Sequence, residues 1–101
     1  MEITTDGPVL LLTGDFDVRS TREVRTALHA ALAAHERVVV DLRGVASVDV
    51  VALRVLAAAS RQAVHDDHHV TLRGCNGAVR RLLHLTHLIR VVEIERHATA
   101  S

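Results

Sequence analysis

The chain has 101 residues, enough for one domain with one buried core, and 49% of them are apolar. Twelve Arg offset twelve Asp plus Glu, and Lys, Tyr and Trp are absent. This excludes a net basic field for phosphate backbones, an aromatic platform for nucleic-acid bases, lysine Schiff-base chemistry and a Walker-type lysine. From the N-terminus, Met1 to Thr4 carries no basic segment, and no apolar run approaches the ~20 residues of a membrane span. A soluble, cytoplasmic protein is expected. Ile3 to Thr5 reads as a short strand, and Asp6-Gly7 is a strong turn signal. Pro8 then has to sit at a strand start, and Val9 to Leu12 is an apolar strand ending at Gly14.

Ser20 is expected to open a helix, with Ser20 and Glu23 spaced as a capping box. Val24, Leu28, Ala31 and Leu32 recur at helical spacing, and the helix should end near Ala34. Val38-Val39-Val40 suits a strand buried on both faces, running into a turn at Asp41-Leu42-Arg43-Gly44. Asp49 is placed to cap a second helix, whose stripe is Leu53, Leu56, Ser60 and Val64, widened by Ala52, Ala59 and Ala63. Val70 and Leu72 mark a further strand ending at Gly74. A third helix is expected from about Gly77 to His87 on Val79, Leu82, Leu83 and Leu85. Val91 to Glu95 reads as a last strand, and residues 96–101 as a tail. Strands alternating with helices through short connections require crossovers, so part of the sheet should be parallel.

The polar clusters are weak as catalytic signals. His65-Asp66-Asp67-His68-His69 offers metal-ligand types, but no His-x-x-x-His pair on a helix and no cysteine to complete a set. A solvated turn is the simpler reading, and no metal or cofactor is expected. Cys75, the lone cysteine, permits no internal disulfide. It stands ahead of a helix, where a thiolate could be stabilised; the alternative is an ordinary loop thiol. Gly-x-Ser-x-Gly and phosphate-binding glycine motifs are absent, so an enzyme is not expected.

Three stretches together resemble one family, the STAS domains of anti-sigma factor antagonists. Gly14-Asp15-Phe16-Asp17 resembles a Gly-Glu-Leu-Asp segment. Val38 to Val45, followed by Val48-Asp49, resembles a strand and loop of the form VVLDLSGV…ID. Gly74, Ala78 to Leu83 and Leu85 to Leu88 resemble a helix of the form G…AVRRLLELTGL. The similarity covers about residues 3–95, and it rests on order and spacing more than on any single motif. It implies an α/β fold: a single STAS-type domain over residues 1–101, with a small mixed, partly parallel sheet and helices packed over it. It also implies a role, binding a serine-kinase-like anti-sigma factor and so releasing a sigma factor.

In phosphorylatable members an Asp is followed by Ser, Ser or Thr, Gly and Leu. Here the segment reads Asp49-Val50-Val51-Ala52-Leu53. Val50 has no oxygen to phosphorylate, so the resemblance implies partner binding without the usual switch. Whether Ser47, Cys75 or another residue gives an alternative regulation is left open by the sequence. Asp15, Asp17, Asp49, Val50, Val51, Ala52 and Leu53 are the expected partner-binding residues. No nucleic acid or membrane insertion is expected, and a homodimer is kept open. Two other roles within the family stay open: an accessory STAS subunit of a lipid-transport ABC system, and a sensor of a nucleotide or lipid.

Overall fold

The computed structural model describes residues 1–95; the expected tail, residues 96–101, lies outside them. Five strands form one sheet in the order β1-β2-β3-β4-β5. β1 (Glu2–Asp6) and β2 (Val9–Phe16) are an antiparallel hairpin with Asp6 opposite Val9. Gly7 closes the two-residue turn at φ +59°, a conformation that glycine adopts without steric cost. Pro8 lies in that turn, just before the strand, and its carbonyl accepts a hydrogen bond from the Val39 N–H at 2.9 Å. β3 (Arg37–Val48), β4 (His69–Arg73) and β5 (Glu93–Ile94) each pair in parallel with the strand before them.

The helices α1 (Thr21–Ala34), α2 (Val50–His65) and α3 (Gly77–Leu85) are the crossovers between the parallel strands. Consecutive strand order with right-handed crossovers places all three on one face. Register agrees: Leu10 aligns with Val40 and Leu72, and Val38 with Val70, and all five are buried. The other side of the same strands carries Leu11, Val39 and Thr71, which are only half-buried. The core closes over Leu28 of α1, Leu53 and Leu56 of α2, and Val79 and Leu83 of α3.

Four expectations need correction. The α2 stripe runs through Ala52, Leu53, Leu56, Ala57, Ser60 and Ala63, whereas Val64 is exposed. Ser60 satisfies its hydroxyl by donating to the Leu56 carbonyl at 3.0 Å, so a polar residue fits this face. Leu85 is likewise exposed. The third helix stops two residues early because the Thr86 hydroxyl donates back to the Leu82 carbonyl at 2.6 Å and His87 turns left-handed at φ 63°. The final strand shortens to Glu93–Ile94, since a 3-10 turn at Leu88–Arg90 uses the preceding backbone. Left-handed backbone disfavours a residue with a Cβ. His87→Gly should therefore raise stability by about 0.5–1 kcal/mol in urea unfolding.

The fourth correction concerns Asp41 to Gly44, which is not a turn. β3 runs straight through it for 12 residues. The turn chemistry is absorbed as a bulge: Leu11 pairs with Asp41 but Thr13 pairs with Gly44, leaving one extra residue on β3. The Asp41 carboxylate holds the bulge by accepting from the Arg43 N–H at 3.0 Å and from its guanidinium at 2.9 Å. Arg43 lies over Gly74, where a Cβ would fall 2.1 Å from the Arg43 Cγ.

Candidate functional site

The carboxyl ends of β2 and β3 lie side by side, and both lead into helices. A second register shift, between Gly14 and Asp15, sets Asp15 opposite Ser47 rather than Ala46. The Ser47 hydroxyl donates to Asp15 Oδ1 at 2.7 Å, joining the two strand ends. One step further, the Asp49 N–H donates to the Phe16 carbonyl at 3.0 Å. Phe16 is buried beneath this corner.

Asp15 to Ser20 then turns sharply into α1. Ser20 is the N-cap residue, but its side chain makes no cap bond, so the capping box does not form. The hydroxyl serves the loop instead. It accepts from the Asp17 N–H at 3.1 Å and lies 3.2 Å from the Asp15 carbonyl and 3.0 Å from the Asp17 carbonyl. It is buried, unlike a solvated cap. Ser20→Ala should cost about 1–2 kcal/mol by leaving the buried loop backbone unpaired, measurable as a lowered urea midpoint. Asp17 accepts from the Arg19 N–H and guanidinium, each at 2.9 Å. Arg19 holds the Asp17 carboxyl below the usual carboxylate range, so it is ionised at neutral pH. Between them Val18 stands 59% exposed.

At the facing corner Asp49 caps α2 as expected. Its Oδ1 accepts from the Val51 N–H at 2.6 Å and from the Ala52 N–H at 3.4 Å. Asp49→Ala should cost about 1 kcal/mol, seen by thermal unfolding. Val50 is half-buried and Val51 is 49% exposed. Ala52 and Leu53 differ from expectation: both are fully buried in the core, so they support the helix start and offer no surface. The outward set is therefore Asp15, Asp17, Asp49, Val50 and Val51. Val18 joins it, missed in the sequence although an apolar residue between two charges in a loop was a usable signal. Beside the loop, Glu2, Asp15, Asp17 and Glu23 border a hollow of about 660 Å³ at the same edge, with Arg19 their basic neighbour.

The other polar groups do not converge. His68 Nδ1 lies 2.7 Å from the Asp66 carbonyl, and His69 Nδ1 lies 2.9 Å from Glu93 across to β5. Asp67 takes the left-handed turn position at φ 63°. Among the described residues no three His, Cys, Asp or Glu side chains are grouped to hold a metal ion. Burial pushes the Cys75 thiol up, and the weaker pull of Arg80 does not reverse it, so the thiolate is not favoured there. No helix among the described residues is long and apolar enough to cross a membrane.

The class is a small α/β domain: a singly wound mixed sheet with helices on one face, whose carboxyl edge presents acidic and apolar side chains. The chain belongs to the STAS family: the family model described as "Mlab, STAS domain" matches residues 1–93. Solved structures agree on the fold. A candidate anti-sigma factor antagonist from Thermotoga maritima superposes with a TM-score of 0.76 at 18% identity, covering 98% of this chain and 88% of that one. The anti-sigma factor antagonist SpoIIAA of Bacillus, in its unphosphorylated form, gives 0.73 at 13% identity, over 98% and 90%. An anti-sigma factor antagonist from Mycobacterium paratuberculosis gives 0.71 at 21% identity, over 98% and 86%. No curated protein matches the chain in sequence.

Proposed function

We propose that this domain is a non-catalytic binding module of the anti-sigma factor antagonist type, acting on sigma-factor-dependent transcription through an anti-sigma factor. The observation that carries the reading is the mixed surface at the carboxyl ends of β2 and β3. There Val51 and Val18 are exposed beside Asp15, Asp17 and Asp49. Apolar side chains in the loop after β2 and in the first turn of α2, with carboxylates beside them in the chain, suit a partner with an apolar contact and basic neighbours. Binding is expected to escape serine phosphorylation at the usual place, because Val50 offers no hydroxyl. SpoIIAA, by contrast, is known in a phosphorylated form as well.

Affinity capture from the native lysate tests this. The wild-type chain should retain an anti-sigma factor, and Val51→Asp should lose at least ~90% of it, since a fourth carboxylate would be forced into an apolar contact. Val50→Ser should render retention sensitive to ATP when the partner is a serine kinase. Equal capture by wild type and Val51→Asp would overturn the reading. The second reading, an accessory subunit of a lipid-transport ABC system, is favoured by the family model, whose description names Mlab and no anti-sigma factor. Capture of a transport ATPase in place of an anti-sigma factor would decide for it.

A further inference from the structure

The helical layer carries a groove that the binding edge does not use. α1 and α2 follow parallel strands, so they run side by side with both N-termini at the carboxyl edge of the sheet. Two hollows of about 410 and 300 Å³ lie between them and share His29 and Ala59, so they form one trough. Val55, Ala58, Ala59 and Ala63 of α2 line it opposite Leu32 and Ala33 of α1, and His29 borders both hollows. Small side chains on both helices let a third backbone approach closely. From Arg54 to Asp66 the trough follows α2 for ~18 Å, the length of a helix of about 12 residues.

Charge along the trough is ordered. Arg25 and Arg54 flank the end nearest the two helix N-termini, and neither is in an ion pair among the described residues. Asp66 lies at the other end, with His68. No acidic residue occurs anywhere in Val50–His65, although the whole chain is balanced. A helix lying antiparallel to α1 and α2 would set its positive N-terminus at Asp66 and its negative C-terminus between Arg25 and Arg54. The reverse orientation would set like charge against like at both ends.

We propose that the α1–α2 trough docks an amphipathic helix of a partner protein, antiparallel to α1 and α2, with small or apolar residues inward and acidic residues toward its C-terminal end. This site is separate from the carboxyl-edge surface and stands or falls independently of it. A second copy of this chain is a poor occupant, because α2 and α3 contain no acidic residue and α1 has only Glu23, in its first turn.

The probe is a synthetic helical peptide of about 18 residues, roughly five turns, with Leu at i, i+3, i+4 and i+7 and Glu confined to its last two turns. Its control moves the Glu residues to the first two turns. With the full chain, fluorescence anisotropy should show the probe binding about tenfold or more tighter than the control. Arg25→Glu with Arg54→Glu should reverse that preference. Ala33→Arg and Ala58→Arg sit at exposed positions, so they should block the trough, weakening the probe at least ~tenfold while thermal unfolding stays unchanged. Equal binding of the two peptides, no binding, or indifference to both arginine substitutions would overturn the proposal. So would two other outcomes. One is concentration-dependent self-association lost in Ala33→Arg, which assigns the trough to a second copy. The other is binding to anionic vesicles, lost in the charge reversal, by a chain that ignores the peptide.

Discussion

Phe16→Ala is expected to lower stability by about 3–5 kcal/mol, the largest loss from any single truncation near the site. Phe16 is the chain's one aromatic residue and is 1% exposed. Its ring ends β2 under the corner where the Asp49 N–H meets the Phe16 carbonyl. Val24 and Leu53 belong to the same buried cluster, and a neighbourhood of Val, Leu and Ala has no second large ring to fill the space. A domain of this size holds only ~5–15 kcal/mol in all, so the variant should unfold at far lower urea and fall by ~12–40 °C in thermal midpoint. Phe16→Leu should cost less than about 2 kcal/mol, because most of the volume remains. An alanine variant no weaker than the leucine one would show that the ring is not what closes this corner.

Arg43→Met is expected to weaken the fold at neutral pH and to blunt its acid response. Asp41 is 2% exposed, with its carboxylate tied to the 67% exposed Arg43. Burial pushes the Asp41 carboxyl up, but hydrogen bonds from the Arg43 side chain and N–H, with its charge, together outweigh burial and hold it below the usual carboxylate range. A depressed carboxyl contributes stability above its unfolded value of about 3.9, and that stability is lost as pH falls through the folded value. Without the Arg43 side chain, burial is opposed only by the N–H of residue 43 and the lesser pull of Arg73, so the carboxyl should rise from its depressed position. The variant should be destabilised at neutral pH, and its deficit against wild type should shrink as the solution is acidified toward pH 4. The neutral-pH loss should be about 1–3 kcal/mol, less than for a fully buried pair because water can approach where Arg43 stood. Gly74→Ala should be destabilising on its own account, because its Cβ would meet the Arg43 side chain and its backbone stands at φ +70°, and that backbone cost should persist beside Arg43→Met. Urea unfolding of the three variants at pH 4 and pH 7 measures both effects. An Arg43→Met chain whose deficit against wild type is as large at pH 4 as at pH 7 would refute the account.

Much of the fold was legible residue by residue. Apolar periodicity placed α1 and α2, because those patterns follow from which face is buried, and Asp6-Gly7 marked the β1–β2 turn, although β2 runs on past the expected stop at Gly14 to Phe16. Asp49 was legible as a cap because an Asp before an apolar helical run has one efficient way to satisfy two backbone donors. The misses share a cause. Asp41-Leu42-Arg43-Gly44 has turn chemistry, and only neighbouring strands on both sides convert it into a bulge. Val64 and Leu85 fit the helical period, but the faces that pack inward are those of Ala52 to Ala63 in α2 and of Val79 and Leu83 in α3. Ser20 has a cap residue's identity and position, yet the tight approach of Asp15 and Asp17 draws its hydroxyl into the loop.

The candidate site divides in the same way. The hydroxyl-free start of α2, the acidic character of the β2–α1 loop and the absence of lysine chemistry are properties of residue type and need no neighbours. Which residues look outward depended on the packed fold. Burial removed Ala52 and Leu53 from the surface and left Val51 there. The shift between Gly14 and Asp15 joined Ser47 to Asp15 across 32 residues of chain, and the side-by-side helices made a trough of alanines that are unremarkable in sequence. Burial, register and juxtaposition depend on long-range packing, which a local pattern does not encode.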